Sequence, residues 1–156
     1  MNKYLKLFIA IVICESAGLI GTIFTMSEIP NWYAGLVKPA LNPPSWIFGP
    51  VWTMLYLLMG IALFLIWNTG IKRHDVRKAI GIFALQLILN SIWSIVFFGL
   101  HSTGWAFVNL VAIWLAIIWT IMLFNKISKP AARLLIPYIL WVSFAGYLNF
   151  MIWILN

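Results

Sequence analysis

Five stretches of this chain, residues 5–26, 47–67, 79–100, 105–124 and 134–154, carry little or no charge, and each is long enough to cross a bilayer. A hydrocarbon core about 30 Å thick takes about 20 helical residues at 1.5 Å apiece. Water cannot be the solvent of a fold built from all five. Charged residues make up 8% of the chain and apolar ones 64%, with a mean hydropathy of +1.02; soluble domains carry about 25% charge. The expected fold is therefore all-α: an integral membrane bundle of five transmembrane helices, forming one domain over residues 1–156. Lys3 and Lys6 precede the first run as they would in a signal peptide. No small-residue cleavage site follows, and Val12-Ile13 before Cys14 fits a lipoprotein signal poorly, so this run is expected to be a helix of the mature protein.

The net charge of +7 has to be read by position. Nine of the ten basic residues, Lys3, Lys6, Lys72, Arg73, Arg77, Lys78, Lys126, Lys129 and Arg133, fall at the N-terminus and in expected loops at 71–78 and 126–133. All three lie on one side of the bilayer, and only Lys38 falls on the other. This asymmetry predicts a multi-pass protein of the cell membrane with the N-terminus cytoplasmic and the C-terminus outside. It also accounts for the charge without nucleic acid. Cys14 is the only cysteine, so no disulfide forms within the chain.

One connection departs from the short links elsewhere. Residues 27–46 form a long outer loop between helices 1 and 2, with four of the seven prolines and with Trp32, Tyr33 and Trp46. Links between helices usually take about 2–8 residues, and longer ones are commonly lids. Proline stiffens the loop, and its aromatic face needs cover. A lid over a site is the favoured reading, and an interfacial segment on the headgroups is the alternative.

Within the spans, polar and aromatic residues recur at helical spacing. Trp52, Tyr56, Met59 and Leu63 share a face of the second helix. Gln86, Asn90 and Ser94 share one on the third, beside Trp93 and Phe97. Trp105, Asn109, Ala112, Ala116 and Trp119 align on the fourth, and Tyr138, Trp141, Ala145, Leu148 and Asn149 on the fifth. Amides facing lipid are costly, so these faces are expected to turn inward. Each amide taken singly reads best as a hydrogen bond between helices. Taken together, flat aromatics, small residues and scattered amides suit a slot for a flat apolar ligand that opens beneath the long loop. Glu15 is the one acidic residue inside a span. It is expected to bond a neighbouring helix, with proton-coupled transport as the functional alternative. Neither His74 nor His101 has Cys, Asp or Glu partners at a spacing that makes a metal or nucleophile constellation, so neither site is expected, and no cofactor is required.

At the long loop the residues become specific. Trp32-Tyr33-Ala34-Gly35-Leu36 with Lys38-Pro39, then Pro43-Pro44-Ser45-Trp46-Ile47-Phe48-Gly49-Pro50-Val51-Trp52 through Tyr56, resemble the signature of the TspO/translocator protein family. These are the tryptophan-rich sensory proteins, also called peripheral-type benzodiazepine receptors. Gln86, Asn90, Trp93, Ser94, Phe97 and Phe98 resemble that family's third helix, and Ala131 through Trp141 with Phe144-Ala145 and Leu148-Asn149 its fifth. The resemblance implies a five-helix bundle, a homodimer, and a pocket covered by the first loop. It implies binding of porphyrins and of isoquinoline-carboxamide or benzodiazepine-type ligands, with light- and oxygen-dependent breakdown of protoporphyrin as described for some bacterial members. The ligand-binding positions carried over are Trp32, Pro44, Phe48, Gly49, Trp52, Asn90, Trp93, Trp105, Trp141, Ala145 and Leu148, and Trp52 and Trp141 are the indoles expected to act in photochemistry. Where many relatives have proline after the third helix's Trp-Ser, this chain has Ile95, so a straighter helix is expected. No basic residue follows Tyr147, which argues against sterol recognition; a reversed Arg133…Tyr138…Leu140 pattern is the one weak sign of it. A tetrapyrrole transporter and a ligand-sensing regulatory or assembly protein are the alternatives to a porphyrin receptor.

Overall fold

The structure, a computed structural model, describes residues 1–156. Every regular element is helical: α1 (Lys3–Thr25), α2 (Phe48–Trp67), α3 (His74–Ser94), α4 (Thr103–Ile127), a short α5 (Lys129–Leu134) and α6 (Ile136–Leu155). There are five spans, because α5 and α6 run on as one from Lys129 to Leu155. Their break at Leu135 has a local cause. Pro137 has no N–H to offer the carbonyl one turn back, so α5 ends and a new helix starts at Ile136 with Pro137 in its first turn.

The two expected basic loops are largely helix. His74–Lys78 form the first turns of α3, Lys126 lies in the last turn of α4, and Lys129–Arg133 lie in α5. Ser128 explains the second case: its hydroxyl accepts the Ala131 N–H as an N-cap, and Pro130 sits in the first turn, where its missing donor costs nothing. Lysine and arginine are good helix formers, so charge marks the membrane boundary here without ending the helix.

The spans close into a ring. α1 packs on α2 and α3, α4 packs on α3 and α6, and α2 packs on α5. Glycine permits the closest approach to a neighbouring backbone: a Cβ on Gly60 would stand 2.7 Å from the Ile11 Cα. Because α2 rests on α5 rather than along α6, these two neighbours converge only at the basic end. The buried residues of α2 accordingly all lie in its second part, from Leu55 to Ile66. Toward the loop side the helices part and leave a cavity.

α3 ends unusually. After Ser94 it widens into a π-helical turn, Ile95–Gly99, closed by the Leu100 N–H on the Ile95 carbonyl at 2.9 Å. Ile95, where many relatives have proline, is the first residue of this π turn. The wider turn lets the consecutive residues Phe97 and Phe98 both be buried in one aromatic cluster with Tyr33.

Candidate functional site

The cavity between the parted helices has a volume of about 310 Å³ and is walled by α1, the long loop, α2, α3 with its π turn, and α6. α2 supplies Phe48, Gly49, Trp52 and Tyr56; α3 supplies Asn90, Trp93 and Ser94; α6 supplies Trp141, Ala145 and Leu148. Eight of the eleven expected ligand positions therefore meet here: Phe48, Gly49, Trp52, Asn90, Trp93, Trp141, Ala145 and Leu148. The two indoles expected to act in photochemistry both border the space. Trp52 is tilted against Tyr56 with centroids 5.6 Å apart and stands edge-on to Tyr138 at 6.2 Å. Trp141 meets Phe48 edge-on at 6.1 Å, and its buried indole N–H has no partner in the protein.

Three expected positions stand elsewhere. Trp32 lies behind the wall, edge-on to Phe97 and stacked on His101 at 4.3 Å and 11°. Pro44 precedes Ser45, which does line the cavity. Trp105 is 72% exposed on the outer surface of α4 beside Val108 and Ala112. The expected inward stripe of α4 holds only in part: Ala116 is buried and Asn109 Nδ2 donates to the Leu89 carbonyl of α3 at 3.0 Å, while Trp105, Ala112 and Trp119 face out. Lipid accepts indole readily, so tryptophan does not mark an inward face as an amide does. α4 contributes nothing to the cavity.

Under the cavity runs a buried hydrogen-bond chain. The Tyr56 hydroxyl donates to Asn90 Oδ1 at 2.8 Å, Asn90 Nδ2 donates to the Tyr138 hydroxyl at 2.8 Å, and that hydroxyl donates to Gln86 Oε1 at 2.7 Å. Asn149 ties the neighbouring wall, accepting the Trp93 indole N–H at 2.9 Å and donating to the Thr103 carbonyl at 2.8 Å. The inward amides of α3 and α6 thus hold the helices together, and the aromatic rings they fix form the walls.

The long loop is fastened over this space at three points. His101 Nε2 and Glu28 Oε2 are 2.8 Å apart, a pairing across 73 residues that corrects the expectation of no acidic neighbour. Tyr33 is buried against Phe97 and Phe98 and bonds Asn42 at 3.1 Å; burial pushes its phenol up, and the Asn42 bond partly offsets this. The Asn156 side chain brackets Val37, accepting its N–H and donating to its carbonyl, each at 2.9 Å.

The cavity also has an α1 wall that was not expected. Glu15, Gly18, Gly21, Thr22 and Thr25 line it. Gly18 and Gly21 were the signal available in sequence, because a Cβ on either would stand 2.6 Å from Tyr56 Cε2 or 2.9 Å from Ser94 Oγ. The expected bond from Glu15 to a neighbouring helix is absent. No group of three or more His, Cys, Asp or Glu side chains gathers anywhere in the molecule.

Residues 10–154 match the TspO/MBR family. The chain belongs to that family. It is 46% identical to the tryptophan-rich protein TspO of Chlorobaculum tepidum, an alignment covering 100% of this chain and 99% of that one. It is 39% identical to the human translocator protein over 86% of this chain and 80% of that one. The tryptophan-rich sensory protein of Cereibacter sphaeroides is 32% identical over 96% and 91%. Family membership and five apolar spans make this a multi-pass membrane protein of the TspO/MBR type, with the bilayer as its immediate partner.

Proposed function

We propose that this TspO/MBR protein is a membrane receptor that holds porphyrins and other flat lipophilic ligands in the cavity beneath its long loop, and that it degrades protoporphyrin in light and oxygen. The observation that carries the reading is the pair of indoles, Trp52 and Trp141, on two walls of one mainly apolar space. A few polar groups in an apolar slot are what orient small ligands. At about 310 Å³ the cavity sits near the lower end of the usual range of about 300–1,000 Å³. An isoquinoline-carboxamide or benzodiazepine-type molecule suits that size, and a tetrapyrrole requires the loop to lift. An excited porphyrin held against an indole can take an electron from it and pass one to oxygen, which is the oxidant.

The packing beneath the cavity favours a receptor over a transporter. The chain from Tyr56 to Gln86 and the fully buried Cys14, Met59 and Ile66 close the basic half of the bundle. The proposed setting is the cell membrane, with the N-terminus cytoplasmic and the C-terminus outside, in a homodimer.

Trp52→Phe and Trp141→Phe test the chemistry. Phenylalanine keeps most of the aromatic area but is much harder to oxidise. Porphyrin affinity in the dark should change little, while loss of the porphyrin's main absorption band under illumination should slow sharply. Equal bleaching by wild type and the double variant at matched occupancy would leave a receptor without catalysis. Saturable porphyrin movement across reconstituted vesicles would favour transport instead.

A further inference from the structure

Glu15 is the one ionisable carboxyl on the cavity wall, and no Lys, Arg or His side chain lines that wall. Most other polar groups there are already engaged. The hydroxyls of Thr22, Thr25 and Thr53 each donate to the carbonyl four residues back, and Tyr56, Asn90 and Asn149 belong to the bonds between helices. Glu15 stands apart from this pattern. The molecule's two ion pairs lie elsewhere, at Arg73–Asp75 and His101–Glu28, and neighbouring Ser16 donates to the Val12 carbonyl. Its oxygens are also not among the sealed polar atoms of the interior. An unpaired carboxylate at membrane depth is costly, and such residues ordinarily have a partner or serve a pathway.

We infer that Glu15 is a specificity-determining residue that selects flat aromatic ligands bearing a cationic amine or a strong N–H donor at one edge. This rests on reading the cavity as a ligand site. A cation held in the cavity meets one carboxylate on the α1 wall and the aromatic rings of Trp52 and Tyr56 on the α2 wall, and aromatic faces attract cations as well. Charge-assisted hydrogen bonds are among the stronger polar contacts available, more so where water is excluded. The same carboxylate repels acids, so a ligand with an acidic edge, such as protoporphyrin, sits with that edge turned away from Glu15 and toward water on the loop side.

The test uses two probes with one ring system: acridine, neutral in mildly alkaline buffer, and 9-aminoacridine, a cation with an exocyclic amine. Both are titrated into the full chain in phosphatidylcholine nanodiscs, with empty nanodiscs subtracted. Wild type should bind 9-aminoacridine about tenfold more tightly than acridine. Glu15→Gln should remove that preference, and Glu15→Asp should keep most of it. Acridine bound by the Gln variant reports an intact cavity. No preference in wild type overturns the inference, whatever the variants do, and so does an equal preference in wild type and the Gln variant. A separate protoporphyrin titration distinguishes the two readings. Amine selection without porphyrin binding sinks the porphyrin receptor alone, and porphyrin binding without amine selection sinks the role of Glu15 alone.

Discussion

Asn90 sits between two phenols, with Oδ1 accepting a hydrogen bond from the Tyr56 hydroxyl and Nδ2 donating to the Tyr138 oxygen, and it is only 5% exposed. Its edge borders the cavity, but its hydrogen-bonding atoms serve three helices. Asn90→Leu should therefore act mainly on stability. Side-chain hydrogen bonds between membrane helices average about 0.6 kcal/mol and reach about 1.7. Two lost bonds predict a fall of about 1–2 kcal/mol, read as a lower melting temperature, with porphyrin affinity changing less. A collapse of affinity at unchanged melting temperature would make the amide a direct ligand contact. At this scale legibility followed the cost of exposure. The amides Gln86, Asn90 and Asn149 were placed inward by spacing alone, because lipid excludes them. Trp105 was misplaced because lipid admits indole, and the Glu28–His101 pair was invisible because nothing local in sequence joins residues 73 apart.

Two elements depend on contacts that a small change should disturb in opposite ways. The first is the α1–α2 seam at Gly60, where an added Cβ would meet the Ile11 backbone at 2.7 Å. Backbone cannot swing aside as a flexible side chain can. Gly60→Ala should cost about 1–3 kcal/mol and lower the unfolding midpoint, since overpacking forces helices apart. The second is the loop's fastening to the turn after α3. His101 has a positive φ of 51°, bonds Glu28 and stacks on Trp32. Asparagine tolerates that backbone but cannot reach as far or stack. His101→Asn should leave stability nearly intact and speed ligand dissociation about three- to tenfold, the size expected for losing one exposed pair and one stack. Stopped-flow displacement of a bound fluorescent porphyrin would measure this, and an unchanged off-rate would show that the loop is not a lid. The five spans were legible from hydrophobicity because the bilayer fixes helix length. The π turn was not, since it arises from how one turn packs against its neighbours; the break at Leu135 had a local signal in Pro137, hidden within a continuous apolar run.

Across the whole molecule, the two ends differ more in charge than in shape. Lys3, Lys6, Lys72, Arg73, Arg77, Lys78, Lys126, Lys129 and Arg133 gather at one end, and Lys38 alone lies at the other. Finding α5 and the first turns of α3 helical moves none of these residues to the opposite side, so the topological argument survives the correction to the loops. Flanking lysines and arginines are retained on the cytoplasmic face, which predicts that the cavity mouth and the long loop open away from the cytoplasm. The structure makes the test clean. Cys14 is fully buried and should not react, so single cysteines can be introduced without removing it. Leu41 is 67% exposed in the long loop, and Asn68 is exposed in the α2–α3 turn at the basic end. In intact cells a membrane-impermeant maleimide should label Leu41→Cys and spare Asn68→Cys until the membrane is opened. The reverse pattern would turn the bundle over, placing the cavity mouth on the cytoplasmic side, where its ligands would have to come from the cell interior.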